Sequence, residues 1–222
     1  KLVDEGKFTG LRIDHIDGLY DPTQYLERLK EKTGDTYITV EKILQPGEDL
    51  PSNWPVQGTS GYDYLNYLNG IFCKTDNEDR FTQIYWDFTG SRTTFEEIVP
   101  EKKHLIIDRN LAGDIDNLAF LLKKISGKYR YGNDFTINGL KRALAEVLTR
   151  FPIYRTYITQ EGISEADRPY IEEVIEAAKA NTPLLQNELN FIEKLLLLEY
   201  DDSLTQAEKD QWLYFVMRLQ QY

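Results

Sequence analysis

The sequence predicts an α/β segment that is mostly helical. Two observations lead to this prediction: a strand, a helix and a second strand follow one another near the start, and beyond residue 61 apolar residues recur at helical spacing. With 222 residues the chain is long enough to bury a sizeable core. The predicted division is therefore a mixed region over 1–60 and an all-helical region over 61–222.

The mixed region is predicted to be a βαβ unit. A glycine followed by alternating apolar residues predicts a strand over 9–14, and β-branched and aromatic residues predict another over 36–40. Between them, a helix is predicted over 22–32, since Pro22 suits a first helical position and Gly34 suits a helix end. A βαβ unit places its strands parallel, and parallel strands are normally buried within larger sheets. These units are therefore expected to be cut from a longer α/β protein.

The remainder is predicted to be a loop followed by helices. Residues 45–61 are rich in proline and glycine, which is typical of a loop. Ser or Thr three residues before an acidic residue predicts capping boxes at Thr94–Glu97, Ser164–Asp167 and Thr205–Glu208, and Pro100 is expected to kink or restart a helix. Four apolar faces identify the longest helices: Leu140, Leu144, Val147, Leu148 and Phe151; Ile171, Val174, Ile175 and Ala178; Leu185, Leu189, Ile192 and Leu196; Trp212, Phe215, Val216 and Leu219.

Charge and composition exclude several classes of partner. The chain carries 26 basic and 37 acidic residues, a net charge of −11, so it lacks the basic surface that nucleic acid or anionic lipid requires. No apolar stretch approaches the roughly 20 residues needed to cross a membrane, and no secretory or transit signal is recognisable. A single cysteine, Cys73, excludes an internal disulfide. A cytoplasmic protein with a neutral substrate is expected.

Neither a cofactor nor a metal is expected. The sequence contains no D-x-D-x-D loop of the kind that binds calcium. Cys73 and His104 are expected to be packed without a chemical role, as single cysteines and histidines on helix faces usually are.

Two carboxylates are candidates for catalysis. Asp14 ends the first predicted strand and Glu41 follows the second, and the carboxyl ends of parallel strands commonly carry active sites. Since neighbouring strands lie about 4.8 Å apart, the two groups are expected about 5–5.5 Å from one another, the spacing of a retaining glycosidase pair. Arg12 points to the same face as Asp14 and would keep it ionised. The alternative is that both carboxylates are ordinary strand-end residues.

The string GLRIDH (10–15) resembles the motif around the nucleophile of the α-amylase family of glycoside hydrolases. The spacing from Asp14 to Glu41 fits one βαβ step of that family's barrel. Longer and more specific strings resemble the maltooligosyltrehalose synthase family within it: GLRIDHIDGLYDP (10–22), VEKILQPGEDLP (40–51), WPVQGTSGYDYLN (54–66) and FPIYRTY (151–157).

The resemblance implies a fold and a reaction. Residues 1–60 would supply the fourth and fifth strand units of a (β/α)8 barrel, followed by an all-helical insertion domain over 61–222. The implied reaction is a retaining intramolecular transglycosylation in trehalose biosynthesis, an isomerisation that converts the reducing-end α-1,4 link of a maltooligosaccharide into an α,α-1,1 link. Asp14 would be the nucleophile and Glu41 the acid and base. The chain alone is expected to be inactive, because the rest of the barrel would lie outside it.

The resemblance, and the need of this reaction for a closed pocket, also suggest sugar-binding residues. Arg12 would position Asp14. The other candidates are His15, Asp17, Lys42, Trp54, Tyr62, Asp63, Tyr154, Arg155 and Tyr157. Many amylases have Lys-His three and four residues after the nucleophile, whereas this chain has Asp17 and Gly18, which implies a different acceptor side. Packing or surface ion pairing is an equal alternative for most of these residues; for Lys42 the alternative is a solvated surface lysine.

Three functions stay open: a maltooligosyltrehalose synthase, an amylase-like hydrolase or transglycosylase, and a helical interaction module with structural carboxylates. The expected partners are a maltooligosaccharide and the remainder of the barrel, with no nucleic acid and no membrane. Exposed strand edges are expected to favour association of the chain when it is isolated.

Overall fold

A computed structural model describes residues 1–129 and 132–222 in two compact units, Lys1–Ile98 and Val99–Tyr222. It confirms a mostly helical chain with a small parallel sheet. The boundary between the units falls beyond the predicted end of the mixed region, and the assignment of 1–60 to a barrel stays a prediction. The described helices are α1 (Pro22–Thr33), α2 (Tyr62–Gly70), α3 (Glu78–Thr89), α4 (Phe95–Arg109), α5 (Ala112–Ile125), α6 (Ile137–Arg150), α7 (Asp167–Asn181), α8 (Gln186–Leu196) and α9 (Gln206–Leu219).

The first unit contains a three-stranded parallel sheet in the order β1–β2–β3. The strands are β1 (Gly10–Ile13), β2 (Tyr37–Val40) and β3 (Gly58–Thr59). The first two lie within the predicted strands. The third lies in the segment predicted to be a loop, so that prediction is wrong there. A strand of two residues is too short to produce an alternating pattern, and it forms by pairing with a neighbouring strand.

Helix α1 begins and ends on local signals. The side chain of Asp21 accepts a hydrogen bond from the backbone N of Gln24 at 2.9 Å, and Pro22 occupies the first helical position. Gly34 follows the helix at a φ of 59°, a conformation that glycine adopts at little cost. Leu26 of this helix is fully buried.

Helices α2 and α3 contain no buried residue. Most of their large apolar side chains are more than half exposed: Tyr64, Tyr67, Phe81, Ile84, Tyr85 and Phe88, with Ile71 and Phe72 just after α2. These two helices therefore present an apolar surface that nothing else in the first unit covers.

The second unit is built around one hydrophobic core formed by α5 to α9, with Ile107 from α4. All four predicted apolar faces lie in this core, with Leu148 and Phe151 at its margin. Phe191 is central to an aromatic cluster: its ring centroid lies 4.8 Å from Tyr129 and 6.3 Å from Trp212, the latter edge-on.

The helix-start predictions are largely confirmed. Thr94–Glu97 and Thr205–Glu208 both form reciprocal capping boxes. At the third site the backbone N of Asp167 donates to Ser164 at 3.0 Å, while the Asp167 carboxylate accepts from the backbone N of Tyr157 at 3.1 Å. Helix α4 runs on past Pro100 without restarting. None of the helices in the described ranges is long and apolar enough to cross a membrane.

Candidate active site

Asp14 and Glu41 lie side by side at the carboxyl edge of the sheet. The register pairs Ile13 with Val40, so the two acidic residues follow at equivalent positions, and the backbone N of Glu41 donates to the carbonyl of Ile13 at 2.8 Å. Ser60 follows β3 at the same edge, and its backbone N donates to the carbonyl of Val40 at 2.9 Å. The sheet therefore delivers three consecutive strand ends to one edge.

Arg12 contacts both carboxylates. Its Nη1 donates to Oδ1 of Asp14 at 2.6 Å and its Nη2 lies 3.1 Å from Oε1 of Glu41. Hydrogen bonding by Arg12, and then by Glu41, holds the pKa of Asp14 below its ordinary value of 3.8. Asp14 is thus ionised at neutral pH, and a single guanidinium group bridges it to Glu41.

His15 connects the strand end of Asp14 to Glu41 through its backbone. It adopts a left-handed conformation with φ 46°, which non-glycine residues rarely do, and its backbone N donates to Oε2 of Glu41 at 2.9 Å. Its ring lies over Gly18, where an added Cβ would stand 2.6 Å from Cε1 of the imidazole. The His15 ring can take this place only because residue 18 has no side chain.

Lys42 and Asp17 are buried together beneath this edge. Nζ of Lys42 lies 3.3 Å from Oδ2 of Asp17 and 2.6 Å from Oε1 of Glu48, and the Lys42 side chain has no exposed surface. The interpretation of Lys42 as a solvated surface lysine is therefore wrong. A short helical turn, Ile16–Gly18, carries Asp17 into the interior.

Tyr62 closes the other side of Glu41, since its hydroxyl donates to Oε1 of Glu41 at 3.3 Å. Asp63 accepts a hydrogen bond from the Thr59 hydroxyl at 2.7 Å, and the same hydroxyl accepts from the backbone N of Gly61 at 3.1 Å. Gly61, at φ 95°, makes the turn from β3 into α2. Asp63 thus orients the start of α2 and, through it, Tyr62.

Trp54 occupies a structural position. It is only 5% exposed, and its indole N donates to the Thr23 hydroxyl of α1 at 2.9 Å. A buried indole ring has no free face on which a sugar could stack, which favours the packing alternative for Trp54. Its hydrogen bond to α1 fixes the loop that precedes β3.

The residues of FPIYRTY belong to the second unit. Arg155 is buried, with its Nε donating to the carbonyl of Thr156 at 3.1 Å and its guanidinium 5.1 Å from the ring centre of Tyr157. Tyr154 is 61% exposed and is the member of the three whose ring is most accessible to a ligand. Arg155 is therefore held inside the helical unit.

Cys73 and His104 differ from their expected packing. Cys73 is exposed. His104 is partly exposed, with Nε2 3.5 Å from the Thr149 hydroxyl and 3.7 Å from Oε2 of Glu146. Across 1–129 and 132–222, no group of three or more His, Cys, Asp or Glu residues is arranged to hold a metal ion.

Glu48, Gly18 and Thr59 shape the site but were not singled out by sequence reasoning as functional. Glu48 lies within the string PGE (46–48), and Gly18 within IDG (16–18), both inside the strings that carry the resemblance. Their importance depends on contacts with residues far away in the sequence, which spacing along the chain does not reveal.

Comparison with known proteins places the chain beside one group of enzymes. No protein-family model matches it. Two curated proteins from Mycobacterium tuberculosis, strains CDC 1551 and H37Rv, assigned as maltooligosyl trehalose synthases, are each 42% identical over 81 residues. That match spans 36% of this chain and 11% of each relative.

Solved structures extend the similarity to nearly the whole chain. Maltooligosyltrehalose synthase from Arthrobacter ramosus superimposes with a TM-score of 0.80 at 30% identity, covering 99% of this chain and 25% of the enzyme. A hypothetical maltooligosyl trehalose synthase from Sulfolobus tokodaii gives 0.61 at 32% identity, covering 87% and 25% respectively. The chain thus spans about a quarter of the length of these solved structures.

Proposed function

Because the chain is homologous to a segment of the maltooligosyl trehalose synthases, we propose that Asp14 and Glu41 are the two catalytic carboxylates of such an enzyme. The observation that carries the proposal is Arg12, whose guanidinium group contacts both carboxylates at the ends of adjacent parallel strands. Its positive charge offsets the repulsion that would otherwise separate two carboxylates. A retaining glycosidase needs such a pair, about 5–5.5 Å apart.

The two carboxylates differ in a way that suits two roles. Arg12 is the main cause of the low pKa of Asp14, and an ionised carboxylate is what a nucleophile requires. Glu41 accepts hydrogen bonds from the backbone N of His15 and from the hydroxyl of Tyr62, which fix its carboxyl group beside Asp14 for the role of general acid and base.

The proposed reaction has two steps. In the first, a carboxylate oxygen of Asp14 bonds to the anomeric carbon of the penultimate glucose, the bond from that carbon to O4 of the terminal glucose breaks, and Glu41 gives its proton to O4. In the second, the anomeric hydroxyl of the released glucose attacks the same carbon, Glu41 takes up its proton, and the ester bond to Asp14 breaks. Two inversions give the α,α-1,1 link without consuming water.

The second step succeeds only if the released glucose attacks before water does. This requires a closed site that excludes water and holds the sugar through its hydroxyl groups. The Asp14 side chain is 75% exposed in this chain. We therefore propose that other parts of the full-length enzyme complete the pocket, in the barrel to which residues 1–60 would contribute two units. Tyr62 and Tyr154 stay proposed sugar contacts.

The test is the action of the full-length protein on maltohexaose, followed by measuring reducing ends and free glucose together. The proposed isomerisation lowers reducing power with little free glucose, and Glu41→Gln abolishes it. Glu27→Gln, an exposed acidic residue of α1, is the matched control and should leave the rate unchanged. Rising reducing power would instead identify an amylase-like hydrolase, and full activity of Glu41→Gln would refute the assigned role.

A further inference from the structure

Lys42 is a buried cation at the point where the two catalytic strand ends meet. It directly follows Glu41, and its side chain has no exposed surface. Nζ lies 2.6 Å from Glu48 and 3.3 Å from Asp17, whose side chains are 7% and 8% exposed. A buried ammonium group is strongly unfavourable unless opposite charges surround it, so this contact fixes all three side chains.

The two partners of Lys42 come from different segments, each following one catalytic residue. Asp17 lies three residues after Asp14, in the short helical turn that continues β1. Glu48 lies seven residues after Glu41, and its Oε2 accepts a hydrogen bond from the backbone N of Gln45 at 2.9 Å. Lys42 therefore ties the segment after Asp14 to the segment after Glu41.

Besides backbone hydrogen bonds, the strand ends are joined directly by ion pairs of Arg12, and the pair with Asp14 is exposed. The side chain of Arg12 is 46% exposed and that of Asp14 is 75% exposed. Exposed ion pairs of this kind contribute little to holding a geometry, because water and salt screen them. The buried contacts of Lys42 are screened much less, and they lie immediately beneath the same edge of the sheet.

Resting on the proposed function, we propose that Lys42 is a positioning residue: its ammonium group, held between Asp17 and Glu48, sets the distance and orientation of Asp14 relative to Glu41. It acts through those two residues and does not touch the acceptor sugar. In this arrangement Asp17 is likewise a positioning residue rather than a sugar ligand. Catalytic groups have to be held to within a fraction of an ångström, and a displacement of about 1 Å can cost about 100-fold in rate.

The test compares variants of the full-length protein on maltohexaose. Lys42→Met alone leaves two buried carboxylates facing each other, so the main variant combines Lys42→Met, Asp17→Asn and Glu48→Gln, which removes the charges while keeping the side chains similar in size. Lys30→Met is the control, since Lys30 forms a surface ion pair with Asp35 at 3.8 Å. Thermal unfolding first establishes that each variant is folded.

We expect the triple variant to lose about 10- to 100-fold in kcat while KM changes less than about threefold. The acid limb of its pH–activity profile should also move to higher pH, because displaced strand ends weaken the hydrogen bond from Arg12 that keeps the pKa of Asp14 low. A folded triple variant with wild-type kcat and an unchanged pH profile would overturn the proposal. So would a raised KM with unchanged kcat and increased free glucose, because that result would identify Lys42 as an acceptor ligand.

Two further outcomes are distinguishable. If wild-type protein does not rearrange maltohexaose, the proposed function fails, and the positioning role fails with it. If the triple variant does not fold, Glu48→Gln is the second test, since Lys42 then keeps Asp17 as a partner. This variant should lose about threefold to tenfold in kcat, and an unchanged kcat would refute the role of Lys42.

Discussion

The backbone N of His15 donates a hydrogen bond to Oε2 of Glu41 at 2.9 Å, joining the residue after one catalytic candidate to the side chain of the other. His15 reaches this position in a left-handed conformation, and its ring lies over Gly18. The short turn Ile16–Gly18 thus determines the position of both the backbone N that donates to Glu41 and the imidazole ring of His15.

Replacing Gly18 with alanine should disturb the site more than the fold. The added Cβ would stand 2.6 Å from the tip of the His15 ring, and a side chain that can rotate will move aside at modest cost. We expect Gly18→Ala to lower the rate of maltohexaose rearrangement at least about tenfold, since the turn that positions His15 shifts. The melting temperature should fall by only a few degrees.

Gly70→Ala is the matched control for this substitution. Gly70 also lies in the first unit, and an added Cβ there would meet nothing within 4 Å. The control should keep its activity. Equal activity of Gly18→Ala and Gly70→Ala would show that the placement of the His15 ring has no bearing on the reaction.

Replacing Arg12 with glutamine should raise the pKa of Asp14 toward its ordinary value of 3.8, because the hydrogen bond from Arg12 is the largest cause of its depression. The folded-state pKa of Asp14 lies below its unfolded value. Its ionisation therefore contributes stability above the unfolded value, and this contribution is lost as pH falls through the folded one. In Arg12→Gln that contribution shrinks, and the acid limb of activity moves to higher pH.

Carboxyl ¹³C titration by NMR measures the Asp14 pKa directly. The pH dependence of kcat/KM measures the pH at which activity is lost on the acid side. Arg28→Gln, at an exposed position on α1, is the control and should leave both curves in place. An Asp14 titration that is identical in wild type and Arg12→Gln would contradict the electrostatic role of Arg12.

The parts of the fold that could be predicted from sequence are those set by local signals. The apolar faces of α6 to α9 and two reciprocal capping boxes depend on residues three or four positions apart, and the structure contains them. Strand β3 could not be predicted, because its two residues are strand only through pairing with Thr39 and Val40.

The site shows the same division between local and distant contacts. Asp14, Glu41 and Arg12 could be placed together because two parallel strands bring their carboxyl ends to one edge. The burial of Lys42 could not be predicted, since its partners lie 25 residues before it and six after it. Trp54 could be either a pocket wall or a core residue, and only its contact with Thr23 distinguishes the two.

Gln220 should be important for the stability of the second unit. It is 7% exposed; its Oε1 accepts from the Thr156 hydroxyl at 2.9 Å and from the backbone N of Ile158 at 2.6 Å, and its Nε2 donates to the carbonyl of Ile158 at 3.0 Å. Gln220→Ala leaves these buried groups without partners, at about 1–3 kcal/mol for each group. We expect a loss of about 2–4 kcal/mol in the free energy of unfolding after partial relaxation.

Urea unfolding of residues 99–222, produced alone, measures this loss, because that unit has its own hydrophobic core and should unfold in one transition. Gln206→Ala is the control: among the described residues its side chain has an exposed contact with Asp210, of the kind that contributes about 0.2–0.5 kcal/mol. A Gln220→Ala variant as stable as this control would show that its hydrogen bonds to Thr156 and Ile158 are replaced by water at no cost.

The isolated chain should associate and should not rearrange maltohexaose. Helices α2 and α3 bury none of their residues, and Phe72 and Phe88 are 83% and 89% exposed. Exposed apolar side chains of this kind favour association in water. At tens of micromolar, sedimentation velocity should show dimers or larger species, and Phe72→Ser combined with Phe88→Ser should shift the distribution toward monomer. Leu184→Ser is the control and should leave association unchanged, because Leu184 is 93% exposed on a separate turn of the second unit.

Rearrangement of maltohexaose by monomeric wild-type chain at the rate of the full-length protein would contradict both expectations, since it would mean that the strand ends of β1 and β2 already form a complete and closed site.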